Sequence, residues 1–150
     1  MAPACAFRCL FPAARFAAKG VSIKKAGLLR LDAHSQRKQK WIAGFSLLGG
    51  DPFEPEHEAV LAGLLERIKE RFPDKTVWAW TGRTFKHVEK SRLLPYIDRL
   101  VDGAYVQKLH LEKQGAWRGS SNQRIIPLYQ GRIDESPAAQ AEAAAAEAEH

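Results

Sequence analysis

The pattern of apolar and polar positions switches between strand and helix periods from about residue 41 onward. Trp41-Ile42-Ala43-Gly44-Phe45-Ser46-Leu47-Leu48 is an almost unbroken apolar run halted by Gly49-Gly50-Asp51-Pro52. It predicts a buried strand that runs into a glycine turn. Pro55 suits the first turn of a helix. From there Val60, Leu61, Leu64, Ile68 and Phe72 fall on one helical face, with Glu66, Lys69 and Glu70 elsewhere. That helix should end at about Phe72, before Pro73-Asp74. Thr76 to Thr81 reads as a second strand, closed by Gly82. Short helices are expected around Phe85–Glu89 and Arg92–Ile97, a short strand at Leu100-Val101, and a last strand over Arg124 to Leu128. Strands alternating with helices predict an α/β unit with a parallel sheet.

Outside this stretch the patterning fades. Residues 1–40 are rich in Ala and Arg and show no sustained period, so they should be poorly ordered. Residues 131–150 end in an Ala/Glu run with no apolar stripe, so that tail should be disordered. The expected organisation is therefore a basic segment over 1–40, an α/β domain over 41–130 and a tail over 131–150.

Composition narrows the class. The chain has 150 residues, 45% of them hydrophobic and 27% charged, a globular balance. No apolar run approaches the roughly 20 residues of a membrane helix, so no membrane partner and a cytoplasmic location are expected. The net charge of +6 sits in one place. Residues 1–40 hold nine Lys/Arg and one acid, Asp32, whereas the other 110 residues hold 14 basic and 16 acidic side chains. The α/β domain is thus nearly neutral, which argues against nucleic acid as its partner.

In parallel sheets ligands sit at the carboxyl ends of the strands. Gly49-Gly50-Asp51, Thr81-Gly82 and Asp102-Gly103 all fall there, three polar loops on one rim. Gly49-Gly50-Asp51-Pro52 suits either close approach to a ligand or a plain strand-to-helix turn. Trp78 and Trp80 share a strand face and suit either stacking on a purine or a place in the core. Arg118-Gly119-Ser120-Ser121-Asn122-Gln123 is rich in donors, as an anion site or a hydrogen-bonded connection would be. His34, His57, His87, His110 and His150 show no metal-ligand spacing, and no metal-ligand set is assigned.

Four strings taken together resemble one family. They are Gly44-Phe45-Ser46-Leu47-Leu48-Gly49-Gly50-Asp51-Pro52, Trp78-Ala79-Trp80-Thr81-Gly82, Leu100-Val101-Asp102-Gly103 and Trp117-Arg118-Gly119-Ser120-Ser121-Asn122-Gln123. In this order and spacing they are similar to the activating proteins of anaerobic ribonucleoside-triphosphate reductases, small radical S-adenosylmethionine (SAM) enzymes. The resemblance covers about residues 41–130. It implies a partial (β/α) barrel of radical SAM type, disrupted at the N-terminus. It implies SAM and a 4Fe–4S cluster as cofactors, with a glycyl radical made on the reductase large subunit as the product. It also implies an electron donor such as flavodoxin or ferredoxin. Gly49, Gly50 and Asp51 would bind the methionine end of SAM, with Trp80, Thr81 and Gly82 lining the same rim.

The N-terminal segment departs from the family. The resemblance requires three cysteines spaced Cys-x3-Cys-x2-Cys. Cys5 and Cys9 have the first spacing, but Pro12 stands in the third place and cannot ligate iron. Read across codon junctions in one shifted frame, Ala13/Ala14, Ala17/Ala18 and Gly20/Val21 each permit cysteine, in the family's spacing. A base-level shift between about Lys25 and Trp41 would explain the segment. A mitochondrial transit peptide would also be Arg-rich and acid-poor, but would not account for the missing cluster loop. This chain is therefore expected to be inactive as an activase; the alternative function is a non-catalytic remnant that binds SAM, a nucleotide or the reductase.

Overall fold

The computed structural model describes residues 21–25, 43–112 and 117–148. Six strands lie side by side in chain order: β1 (Val21–Lys25), β2 (Gly44–Gly49), β3 (Thr76–Trp80), β4 (Arg99–Asp102), β5 (Arg124–Tyr129) and β6 (Arg132–Ile133). The helix α1 (Pro55–Arg71) carries the chain from β2 to β3, and the short α2 (Phe85–Val88) and a 3-10 turn at Leu94–Tyr96 carry it from β3 to β4. These crossovers make β2, β3 and β4 parallel, with Phe45 beside Val77 and Ala79 beside Leu100. β1, β5 and β6 are added antiparallel.

The α/β class is as expected, but the sheet is mixed and open. It does not close into the partial barrel that the resemblance implied. Between β4 and β5 the described residues hold a 3-10 turn at Gln107–Leu109 and no crossover helix, and β5 runs antiparallel to β4. The region expected to helix over Arg92–Ile97 is only the 3-10 turn, since Pro95 interrupts it. Of residues 1–40, only Val21–Lys25 is described, as a strand rather than irregular chain; Cys5, Cys9 and Pro12 lie outside the described residues.

The main core lies between α1 and one face of the sheet. Leu61, Leu64, Leu65 and Ile68 of α1 pack on Phe45, Leu47, Val77, Ala79, Leu100, Ile126 and Leu128. Val60, placed on this face by the pattern, is instead 57% exposed. The true stripe is 61, 64, 65 and 68, and residue 60 stands about a quarter-turn from its centre. At the foot of the helix Lys69 Nζ donates to Asp98 Oδ2 at 2.6 Å, and Val77 N–H donates to the same oxygen at 2.6 Å. One carboxylate thus joins α1, β3 and the entry to β4.

β2 and β3 meet with no room to spare at Gly44. A Cβ there would lie 2.2 Å from the Thr76 carbonyl oxygen and 2.4 Å from its hydroxyl. The obstacle is mainly backbone, so it cannot swing aside. Gly44→Ala should therefore lower the unfolding free energy by about 1–3 kcal/mol, the usual cost of overpacking. The midpoint of urea unfolding measures it.

The second sheet face corrects the expectation of a disordered tail. Pro137–Ala148 forms a helix, α3, behind the β6 hairpin. Ser136 precedes Pro137 and its hydroxyl accepts from Ala139 N–H at 3.4 Å, a helix start of ordinary chemistry. The Ser136 backbone N–H donates to Asp134 Oδ1 at 2.9 Å, and this bond, followed by that of the Ser136 side chain, holds the Asp134 carboxyl below its ordinary range. Ala139 and Ala143 are buried, and Ala143 and Ala146 pack with Val101, Ile125, Trp78 and Trp80. The helix needs no large apolar residues because the indoles opposite supply the bulk. Its stripe is made of alanine among other alanines, so it has no contrast in the sequence.

Candidate functional site

The site is built where the parallel strands end. The chain leaves β2 through Gly49, Gly50 and Asp51 and leaves β3 through Thr81 and Gly82. Asp51 joins the two exits. Its Oδ1 accepts from Phe53 N–H at 3.0 Å, which turns the chain toward α1. Its Oδ2 accepts from the Thr81 hydroxyl at 2.7 Å. Thr81 is buried, its N–H donates to Val101 O at 2.9 Å, and its Oγ1 accepts from Arg83 N–H at 3.1 Å. The Arg83 guanidinium stands 4.0 Å from Asp51 Oδ2 and pairs with Glu54. Beside this network Gly82 faces open space, since a Cβ there would meet nothing within 4 Å. The structure thus brings Gly49, Gly50, Asp51, Thr81 and Gly82 to one edge, with a partly exposed carboxylate at its centre. Each Asp51 oxygen retains acceptor capacity, so the group can receive an ammonium or a hydroxyl from a ligand.

Trp80 is placed differently. Its indole lies on the α3 side of the sheet, where Nε1 donates to the Trp117 carbonyl at 2.7 Å. Trp78 stacks on Trp117 with centroids 4.7 Å apart and on Trp80 at 5.9 Å. In this structure the pair is part of the second core cluster.

Asp102, at the end of β4, is 1% exposed. It accepts from Phe85 N–H at 2.8 Å, from Arg124 Nε at 2.9 Å and from Arg124 Nη2 at 2.5 Å. The hydrogen bond to Asp102 first, and its charge second, hold the Arg124 guanidinium pKa above its ordinary value. This third rim loop is occupied with holding α2 and β5.

The donor-rich loop is a clasp. Gln123 Oε1 accepts from Gly119 N–H at 2.9 Å and Ser120 N–H at 3.1 Å, while Gln123 Nε2 donates to Gly103 O at 2.9 Å. Asn122 Nδ2 donates to Ala104 O at 2.8 Å, and Ser121 N–H to Leu109 O at 2.9 Å. These donors are consumed internally, which favours the connecting role over the anion site. Sequence reasoning missed Arg83, Glu54 and Arg124. Their only signal is a position next to a rim loop or opposite it across a strand pair.

Among the described residues no three His, Cys, Asp or Glu side chains gather to hold a metal ion, and no helix is long and apolar enough to cross a membrane.

Comparison with known proteins adds family evidence. Residues 3–126 match the family model described as a 4Fe-4S single cluster domain. Three relatives are each named anaerobic ribonucleoside-triphosphate reductase-activating protein. That of Enterobacteria phage T4 is 38% identical over 91 residues, 61% of this chain and 57% of the relative. That of Vibrio cholerae is 45% identical over 84 residues, 55% of this chain and 54% of the relative. That of Escherichia coli K12 is 39% identical over 87 residues, 57% of this chain and 56% of the relative. The chain thus spans a little over half the length of these relatives. No solved structure matches it.

Proposed function

The chain belongs to the 4Fe-4S single cluster domain family, and from that premise we propose that it derives from an activating protein of an anaerobic ribonucleoside-triphosphate reductase and retains that protein's SAM-binding rim. The hydrogen bond between Thr81 and Asp51 carries this reading, because it fixes two separate loops as one ligand edge. Asp51 would receive the ammonium of the methionine end, with the backbone of Gly49 and Gly50 alongside. Thr81 holds the carboxylate in place, and the open space at Gly82 leaves room for the rest of the ligand. The radical SAM chemistry, the reductase large subunit as partner, a flavodoxin or ferredoxin as donor and a cytoplasmic location all belong to this proposal.

The iron–sulfur group does not fit the donor set of this 150-residue chain. Clusters of this class are held by cysteine thiolates, and the chain has two cysteines, Cys5 and Cys9, with Pro12 where a third would stand. We therefore assign this chain no radical step. It binds SAM and the reductase without activating it.

Isothermal titration of the full chain with SAM tests the rim. Binding is expected, and Asp51→Ala should weaken it at least about tenfold, the worth of one charge-assisted hydrogen bond. Undetectable binding by the wild-type chain, or equal binding by the variant, would reject the assignment.

A further inference from the structure

The Asp51 edge holds a cation as well as a carboxylate. Arg83 follows Gly82 out of β3, and its backbone is tied on both sides. Its N–H donates to Thr81 Oγ1 at 3.1 Å, and its carbonyl accepts from Gly103 N–H at 2.9 Å. The residue is thus anchored to the exits of both β3 and β4. Two carboxylates from the turn that leads into α1 steady its side chain. Nη2 donates to Glu54, and Nε stands 4.0 Å from Asp51 Oδ2.

Both carboxylates lie along one edge of the guanidinium, the edge formed by Nε and Nη2. The outer edge, formed by Nη1 and the second Nη2 hydrogen, meets no acceptor among the described residues. That edge is open to solvent: the Arg83 side chain is 41% exposed, and a Cβ on the neighbouring Gly82 would meet nothing within 4 Å. A planar guanidinium held along one edge and open along the other can receive a carboxylate through two parallel N–H bonds. Arg124 also has a free outer edge, but the carboxylate beside it, Asp102, is fully buried and cannot take an ammonium from a ligand. Only at Arg83 do a free guanidinium edge and a partly open carboxylate stand side by side among the described strand-end loops.

We propose that Arg83 is a specificity-determining residue of the rim: with Asp51 it forms a receptor for an α-amino-acid zwitterion, Asp51 taking the ammonium and the outer edge of Arg83 the carboxylate. This rests on the SAM reading above and adds which part of the ligand is read. An α-amino acid carries both charged groups on one carbon, so neighbouring groups of opposite charge can take both ends. Glu54 keeps its place on the inner edge and holds the fork toward the ligand. The charges also match. Asp51 and Glu54 against Arg83 leave one negative charge in excess. The sulfonium, ammonium and carboxylate of SAM leave one positive charge in excess.

Isothermal titration of the full chain compares SAM with decarboxylated SAM, which keeps the adenosine, the sulfonium and the ammonium and lacks only the carboxylate. Far-UV circular dichroism checks that each variant keeps its fold. The wild-type chain should bind SAM at least about tenfold more tightly than decarboxylated SAM, the worth of one hydrogen bond between charged groups. Arg83→Ala should erase this preference by weakening SAM without weakening decarboxylated SAM. Arg83→Lys keeps the charge but loses the fork, and should retain only part of the preference. A residue that merely braced the loop would weaken both ligands alike, so equal losses in Arg83→Ala overturn the proposal. So does a preference that survives in Arg83→Ala. A wild-type chain that binds the two ligands equally overturns it as well and leaves the SAM reading standing. If the wild-type chain binds neither, the SAM reading itself fails and the role of Arg83 falls with it.

Discussion

Replacing Asp102 by alanine should lower the unfolding free energy by about 3 kcal/mol, the low end of the range for breaking a buried ion pair. Asp102 is fully enclosed at the end of β4 and accepts three hydrogen bonds from two residues. Without it, Phe85 N–H loses the acceptor that begins α2, and the Arg124 guanidinium loses both its hydrogen bonds. The estimate stays at the low end because the Arg124 side chain is 62% exposed and can be rehydrated. Asp102→Asn should recover part of the loss, since its amide oxygen still accepts. The sign of the pH dependence is also determined. The Arg124 pKa is raised in the folded state, so the part of the stability linked to that group is fully present below its ordinary unfolded value and is lost only as the pH rises through the folded value. Urea unfolding should therefore show the same deficit for Asp102→Ala relative to wild type at pH 7 and pH 9. A deficit under about 1 kcal/mol would mean that the node carries no more than an ordinary hydrogen bond.

Trp80→Ala should cost about 3 kcal/mol as well, the lower limit for deleting a packed aromatic side chain, because the indole is only half-buried. The loss has three sources. The variant leaves a gap beside Trp78, removes the hydrogen bond to the Trp117 carbonyl and thins the surface on which Ala143 and Ala146 rest. Trp80→Phe keeps most of the packing and loses the N–H, so it should cost about 1 kcal/mol, the worth of one hydrogen bond. Thermal unfolding of the three proteins gives the comparison. If Trp80→Ala unfolds at the wild-type temperature, the indole is not a structural member of the second core.

The parts of this fold legible in the sequence are those with strong contrast. The strand from Gly44, the helix from Pro55 and the strand from Thr76 each show a run of large apolar residues between glycine, proline or charged stops. Their parallel order follows from their alternation, and that order brings Asp51 and Thr81 to one edge. What escaped the pattern depends on partners distant in sequence. Val21-Ser22-Ile23 is too short a strand to stand out, and it exists as a strand by pairing with β2. The alanine face of α3 is invisible until Trp78 and Trp80 are placed opposite it. Open or closed sheet geometry was also out of reach, because it is decided by the direction in which β5 returns. Among the rim residues, Asp51, Thr81 and the glycines are legible from their place at the strand ends. Arg83 and Glu54 are not, because each is an unremarkable surface charge until the two loops meet. The Gln123 clasp was hidden for the same reason: a side-chain amide bridging three backbone groups leaves no periodic trace.

We propose a ligand rim retained on a chain whose two cysteines fall short of the ligands that a 4Fe–4S cluster takes. Anaerobic reconstitution with iron and sulfide, followed by counting both per chain, tests it most directly. With two cysteines in the chain, far less than one cluster per chain should remain after desalting, and the protein should stay pale. A stoichiometric complement of four irons and four sulfides per chain with a brown chromophore would contradict the account. It would mean that Cys5, Cys9 and a ligand other than cysteine hold the cluster, and that this chain is a working activase.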